Sequence, residues 1–376
     1  MNDRDYMKIA LDLAKGTKGQ TSPNPVVGAV IVNQGRIVGM GAHLKAGQPH
    51  AEVHALNMAG SLAKNSTLYV TLEPCSHFGR TPPCAERIVA EQVKRVVVAT
   101  LDPNPLVSGM GIDLLEKAGI EVTVGVLEQE AKQLNESFNK YITTRMPFVT
   151  VKTAMTLDGK IATYTGSSKW ITGEKSREYV HQLRHEHDAI MVGIGTILKD
   201  NPSLTVRTEV EGLNPIRIVV DSKLRIPLDA KVVIDGKAPT WIFTTNHVSE
   251  QKINELTKMG IQVIVTKGEE SVPLQEVLQY LGKNHVTSVF VEGGSTLTGS
   301  LFDHGLIDKY IGFIAPKLVG GFQSLTSIGG EGKTMMTQAV PLTNISIQQF
   351  EDDFCIMGYP IFSSSEGGKV NVYRID

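Results

Sequence analysis

The sequence predicts an α/β protein of two domains, on three observations. Its 376 residues exceed what one hydrophobic core usually organises. Short runs rich in Val, Ile and Leu alternate with segments of helical periodicity along most of the length. The alternation pauses once, in the polar, helix-prone connector "EQEAKQLNESFNKYITTR", and restarts after it. These features set one domain over residues 1–145, a second over 146–365, and a solvated polar tail at 366–376.

"DYMKIALDLAKG" has helical spacing and stops at Gly16. "NPVVGAVIVNQGRIVGMGAH" reads as two strands around a Gln34–Gly35 turn. "HAEVHALNMAG" is helical, with Pro49 ahead of it and Gly60 behind. "STLYVTLEPC" is a strand ending at Cys75, "CAERIVAEQV" a helix, and "RVVVATLDP" and "EVTVGVL" are strands. In the second domain six strands are expected: "PFVTVKTAMT", "HDAIMVGIG", "PIRIVVD", "TWIFTT", "IQVIVTK" and "SVFVEGG", separated by helical stretches. There is no internal repeat.

Composition excludes several classes. A formal charge of −2 argues against a bulk electrostatic hold on nucleic acid. No apolar run is long enough to span a bilayer, and the N-terminus lacks the apolar core of a secretory signal. Three cysteines do not make a disulfide framework. A cytoplasmic protein without membrane association is the simplest expectation.

Two of those cysteines stand in "EPCSHFGRTPPC", shortly after "HAEVHA". His50, Cys75 and Cys84 form a nitrogen–sulfur set suited to one zinc ion, and a catalytic zinc keeps its fourth position open for water. Glu52, two residues after His50, is then placed to take a proton from that water and pass it on. Other readings stand beside this one. A structural zinc would need a fourth protein ligand, for which His77 or His54 is available. "HAEVH" also resembles the zinc-peptidase helix, but its glutamate falls one position late.

The pairing of H-x-E with P-C…C is the signature of zinc-dependent base deaminases. On these residues, positions 1–145 resemble the cytidine deaminase superfamily. Eight residues separate the cysteines where most of that superfamily has two. This insertion, with "TSPNPVVGAVIV" and "HAEVHAL", resembles the deaminase half of the bifunctional riboflavin-biosynthesis deaminase/reductases. In the second half "KTAMTLDGKIAT", "VGIGTILKDNPSLTVR", "VVDSKLRIP" and "VEGGSTL" resemble, in that order, the reductase half of the same family.

The resemblance implies a cytidine-deaminase-like three-layer αβα domain followed by a dihydrofolate-reductase-like α/β domain. It implies zinc in the first and NADPH in the second, with phosphosugar pyrimidines as substrates and homo-oligomerisation through the reductase domain. The first step would deaminate 2,5-diamino-6-ribosylamino-4(3H)-pyrimidinone 5′-phosphate, and the second would reduce the ribosyl chain to ribityl. Implied substrate contacts are Asn24, His43 and Arg80 in the first domain, and Ser168, Arg184, Leu204, Arg207 and Glu292 in the second. Implied NADPH contacts are Ala154, Trp170, Thr196, Asp200, Ser222, Gly293, Gly294, Ser295 and Thr296. Lys152, Asp200 and Glu292 are the candidates for proton handling.

The chemistry of these types fits. Two arginines, Arg184 and Arg207, suit a sugar phosphate. Ser222, Lys223 and Arg225 suit a nucleotide 2′-phosphate. A strand–Gly–Gly–helix at Gly293 and Gly294 suits a nucleotide phosphate, although plain packing uses it too. "SIGGEGKT" lacks the first glycine of a phosphate loop, having Ser327 there. His181, His185 and His187 lack a completing ligand for a second metal and read more simply as a solvated helix face. Two rival functions remain open at this point: a nucleic-acid deaminase, and a non-catalytic zinc scaffold with a nucleotide-sensing domain.

Overall fold

The computed structural model describes residues 1–76 and 83–362. Two compact units divide the chain, Met1–Arg145 and Met146–Asp376. The expected polar tail lies outside the described residues.

The first unit runs α1 (Asp3–Lys15), β1 (Gly28–Asn33), β2 (Arg36–Ala42), α2 (Ala51–Ala59), β3 (Thr67–Val70), α3 (Cys84–Ala90), β4 (Arg95–Val98), α4 (Met110–Lys117), β5 (Glu121–Val124), α5 (Glu128–Leu134) and α6 (Glu136–Thr144). Its sheet has the order β2-β1-β3-β4-β5. β1 is antiparallel to both neighbours, and β3, β4 and β5 are parallel.

Strand alternation sorts the side chains into two cores. Val30, Val32, Tyr69 and Val97 pack with Tyr6, Met7, Ala10 and Leu11 of α1. Ala29, Ile31, Leu68, Val70, Val96 and Val98 face the other way, onto residues of α2, α3 and α4. Helices therefore cover both faces, giving three layers. Gln34 and Gly35 both take positive φ, 49° and 73°, as a two-residue hairpin turn requires.

α2 lies unusually close to β2. A Cβ on Gly39 would fall 2.2 Å from the Ala55 carbonyl oxygen, and one on Gly41 2.3 Å from that of Ala51. These glycines set the height of α2 over the sheet, and with it the position of His50 and Glu52.

The second unit runs β6 (Phe148–Thr156), α7 (Glu174–Glu186), β7 (Ala189–Gly193), α8 (Ile194–Asp200), β8 (Ile216–Val220), α9 (Lys231–Ile234), β9 (Thr240–Thr244), α10 (Glu250–Lys258), β10 (Gln262–Val265), α11 (Leu274–Lys283), β11 (Ser288–Val291), α12 (Ser295–Asp303), β12 (Lys309–Ala315), β13 (Leu342–Phe350) and β14 (Asp353–Pro360). The sheet order is β10-β9-β8-β7-β11-β6-β12-β14-β13. The first seven strands in that order are parallel, and β14 and β13 close the edge antiparallel. α11 and α12 pack on one face, and α8, α9 and α10 on the other.

Three expectations change. The second sheet has nine strands rather than six. β13 exposes almost its whole length and carries the polar run Ser346, Gln348 and Gln349, so the usual apolar signal of a strand is weak there. β3 stops at Val70 rather than at Cys75, because its ladder with β1 ends there and Pro74 has no amide to extend one. The helix α4 follows Gly109 and was not singled out from the sequence.

Among the described residues no helix is long and apolar enough to cross a membrane. Gly41→Ala forces a methyl group against the α2 backbone and is expected to destabilise the protein by about 1–3 kcal/mol. Urea unfolding followed by circular dichroism measures this as a lower midpoint at an unchanged slope.

Candidate active sites

In the first unit His50, Cys75 and Cys84 converge from three elements. His50 is the N-cap of α2, Cys75 lies in the loop after β3, and Cys84 opens α3. The His50 Nδ1 lies 3.3 Å from the Cys84 sulfur and 3.6 Å from that of Cys75. All three donor atoms fall within 4.8 Å of one another, and no other such His, Cys, Asp or Glu group occurs among the described residues. The Cys84 amide donates to the Cys75 sulfur at 3.3 Å, and the Ala85 amide to the Cys75 carbonyl at 3.1 Å. Cys84, then His50, pull the Cys75 thiol well below its usual range, despite its burial. A soft metal that binds thiolate and imidazole fits this donor set.

Glu52 sits in the first turn of α2 and is only 3 % exposed. Burial raises its carboxyl pKa, while His50 pulls the other way. Its Oε2 is buried and makes no hydrogen bond among the described residues. The His54 Nε2 is also without a partner there, but His54 is not in the three-donor group. His77 and Arg80 lie outside the described residues.

His43 is buried, not a surface residue. Its ring meets that of His50 edge-on at 5.3 Å. The Asn24 Nδ2 donates to the His43 Nε2 at 3.1 Å, so the ring's proton is on Nδ1, 3.2 Å from the Pro49 carbonyl. Burial lowers the His43 pKa and keeps the ring neutral, as this pattern needs.

Glu73 was missed from the sequence. It is 6 % exposed, and its carboxylate accepts the amides of Asp102, Gly109, Gly111 and Ile112 at 2.9–3.4 Å. This ties the turn before Cys75 to the start of α4. A carboxylate inside the apolar run "LYVTLEPC" was the available signal, since buried charge needs several donors.

In the second unit Lys152 of β6, Arg184 of α7 and Glu292 after β11 form one nearly buried ion cluster. Arg184 grips the Glu292 carboxylate with Nε on Oε1 and with Nη2 on Oε2 at 3.0 Å. The Lys152 Nζ lies 3.2 Å from Oε2. Burial alone would raise the Glu292 pKa, but Arg184 and Lys152 outweigh it and hold it at about 2.

The loop carrying Leu204 and Arg207 is held to α7 by three groups. Arg184 donates to the Thr205 carbonyl at 2.9 Å, and the amides of Arg207 and Leu213 donate to His181 and His185 at 3.2 and 3.0 Å. This corrects the reading of a solvated helix face: both rings serve as neutral acceptors. Burial, Arg184 and Arg207 press the His181 pKa down to about 4. His187 bonds to the Leu183 carbonyl and to Thr150. Leu204 is buried with a positive φ of 52°.

A second group gathers at the carboxyl ends of β7 and β11. A Cβ on Gly293 would come 3.0 Å from the Thr196 Oγ1, and Gly294 caps α12 with a φ of 65°. Among the described residues no side chain caps α12, so the amides of its first turn, which begins with Ser295 and Thr296, are open to another acceptor. "SIGGEGKT" lies on this helix: Gly329 donates to the Ser295 carbonyl at 3.0 Å, and a Cβ on Gly299 would strike Gly329 at 2.5 Å. Close packing on α12 accounts for Gly329 and Gly330, which face Ser295 and Asp303.

The other predicted residues are more dispersed. Asp200 ends α8 and lies 4.0 Å from the Lys169 Nζ. Trp170 is 65 % exposed under the Arg177 guanidinium. The Ser222 Oγ accepts the Val272 amide at 3.2 Å, beside exposed Lys223 and Arg225. Ala154 pairs with Phe313 across β6 and β12, and Ser168 is half-buried before α7.

Known proteins match both units. The model of the cytidine and deoxycytidylate deaminase zinc-binding region matches residues 1–100, and that of the RibD C-terminal domain matches 147–356. The riboflavin biosynthesis protein RibD of Bacillus amyloliquefaciens is 49 % identical over 94 % of this chain and 95 % of its own length. A solved RibD of Acinetobacter baumannii is 39 % identical, with a TM-score of 0.86 over 96 % of this chain and 99 % of the other. A solved diaminohydroxyphosphoribosylaminopyrimidine deaminase/5-amino-6-(5-phosphoribosylamino)uracil reductase of Thermotoga maritima is 37 % identical, with a TM-score of 0.84 over 96 % and 99 %. With relatives this similar along nearly the whole chain, and with both domain models matched in order, the chain belongs to the RibD family, the two-domain deaminase/reductases of riboflavin biosynthesis.

Proposed function

We propose that His50, Cys75 and Cys84 hold the zinc of the deaminase step and that Glu52 carries its protons. The observation that supports this most is the buried Glu52 Oε2, without a hydrogen-bond partner among the described residues, next to a three-donor cluster. A bound zinc supplies Lewis acidity that activates water for attack on the pyrimidine ring. Glu52 takes one proton from the attacking water and delivers it to the ring nitrogen, then carries a second from the added hydroxyl to the amine, which leaves as ammonia as the ring carbonyl forms. Its raised pKa suits a group that must both accept and release. Asn24 contacts the substrate beside His43, whose Nδ1–H tautomer leaves Nε2 to orient the Asn24 amide. Arg80 meets the phosphate.

In the reductase step NADPH supplies the hydride. Thr196 and residues 293–296 hold its phosphates at the uncapped start of α12. Ser222, Lys223 and Arg225 favour the 2′-phosphate. The ion cluster divides the remaining work. Glu292 stays ionised and acts as the fixed anion, leaving Lys152 as the proton source and Arg184 as the group that fixes both the carboxylate and the Thr205 turn. Arg207 and Ser168 contact the substrate. Two copies associate through the reductase unit, a reading supported by exposed Ile345 and Ile347 on the outermost strand β13.

Glu52→Gln is expected to abolish ammonia release by about 10²-fold or more while leaving zinc content and NADPH oxidation of the deaminated intermediate intact. Loss of both activities would remove Glu52 from this role. Ile347→Lys is expected to shift the protein toward monomer in light scattering, and an unchanged mass would exclude β13 as the contact.

A further inference from the structure

We propose that Asn135 is a positioning residue of the deaminase site, fixing Asn24 through the backbone of Val26. Asn135 stands in the break between α5 and α6 and is 4 % exposed. Its Oδ1 accepts the Val26 amide and its Nδ2 donates to the Val26 carbonyl, each at 2.9 Å. One side-chain amide thus does for Val26 what a neighbouring strand would do.

Val26 needs such a partner. The β1 strand begins only at Gly28, so Val26 lies ahead of the ladder, yet it is only 6 % exposed. A buried backbone amide and carbonyl must both be satisfied. The residues held this way lead directly to the site. Asn24 closes a turn on Thr21 and reaches the His43 ring. The Val27 carbonyl accepts the His43 amide at 2.9 Å. His43 in turn packs edge-on against His50. Asn135 therefore sets the distance of Asn24 from the metal-ligand cluster without touching it.

The inference rests on reading Asn24 as a substrate contact, and its test separates the two. Asn135→Asp keeps the acceptor for the Val26 amide but replaces the donor with an oxygen facing the Val26 carbonyl. In the full-length, zinc-loaded enzyme, ammonia release should show KM raised about 10-fold with kcat changed by less than about 3-fold. Zinc content and NADPH oxidation of the deaminated intermediate should not change. In an Asn24→Ala background the Asn135→Asp change should add nothing further to KM.

A wild-type KM in Asn135→Asp, or effects that add fully in the double variant, would overturn the inference. If Asn24→Ala alone leaves KM unchanged, the substrate role of Asn24 fails first and takes the inference with it. Should Asn135→Asp not fold, Asn135→Gln keeps both groups one methylene further out. It should still raise KM, and a wild-type value there would also overturn the proposal.

Discussion

The deaminase half depends on bringing one imidazole and two sulfurs within 4.8 Å of each other beyond the carboxyl end of the central strand β3. No single element can do this. α2 supplies His50 at its N-cap, α3 supplies Cys84 at its first residue, and the loop between β3 and the undescribed insertion supplies Cys75. Each element is fixed by something other than the cluster. Gly39 and Gly41 let α2 down onto β2, and Glu73 ties the Cys75 turn to the Asp102 amide and to three amides at the start of α4. Cys75 is pulled toward the thiolate, while its proximity and burial hold Cys84 toward the neutral thiol, and burial holds Glu52 toward the neutral acid. A divalent cation would favour the charged forms of these groups, so the electrostatics of the cluster suit the metal proposed for it.

The reductase half meets a similar problem with its own residues. Glu292 is buried at the carboxyl end of β11, where an unpaired carboxylate would take up a proton. Arg184 and Lys152 keep it charged, and Arg184 also donates from Nη1 to the Thr205 carbonyl. The ion cluster and the loop that carries Arg207 are thereby one construction on α7. His181 and His185 extend it as neutral acceptors, a role available to imidazole and closed to lysine or arginine.

Much of this was legible in the sequence because chemistry-bearing residue types stood at telling intervals. Glu52 two residues after His50, with Cys75 and Cys84 around a Pro-rich insertion, carried the zinc reading. The strands of the first sheet and six of the seven parallel strands of the second were equally plain as runs rich in Val and Ile, whereas β12 was not singled out. Less could be read where tertiary partners decide. Asn135 looks like any polar residue in a helical connector until Val26 is found against it. Glu73 and Asp353 act on helix starts distant in sequence, Asp353 by accepting from Gly173 and Ser176 at the head of α7. β13 was hidden because an exposed edge strand needs few apolar residues.

In the proposed site zinc has three protein ligands, His50, Cys75 and Cys84, and Glu52 is not one of them. Zinc K-edge X-ray absorption on the zinc-loaded protein tests it most directly. Two sulfurs at about 2.3 Å, one imidazole nitrogen at about 2.0–2.1 Å and one light atom from solvent are expected. The spectrum should be unaltered in coordination number by Glu52→Gln. A second imidazole in the shell, or a light-atom ligand lost on that substitution, would contradict it and make the site structural.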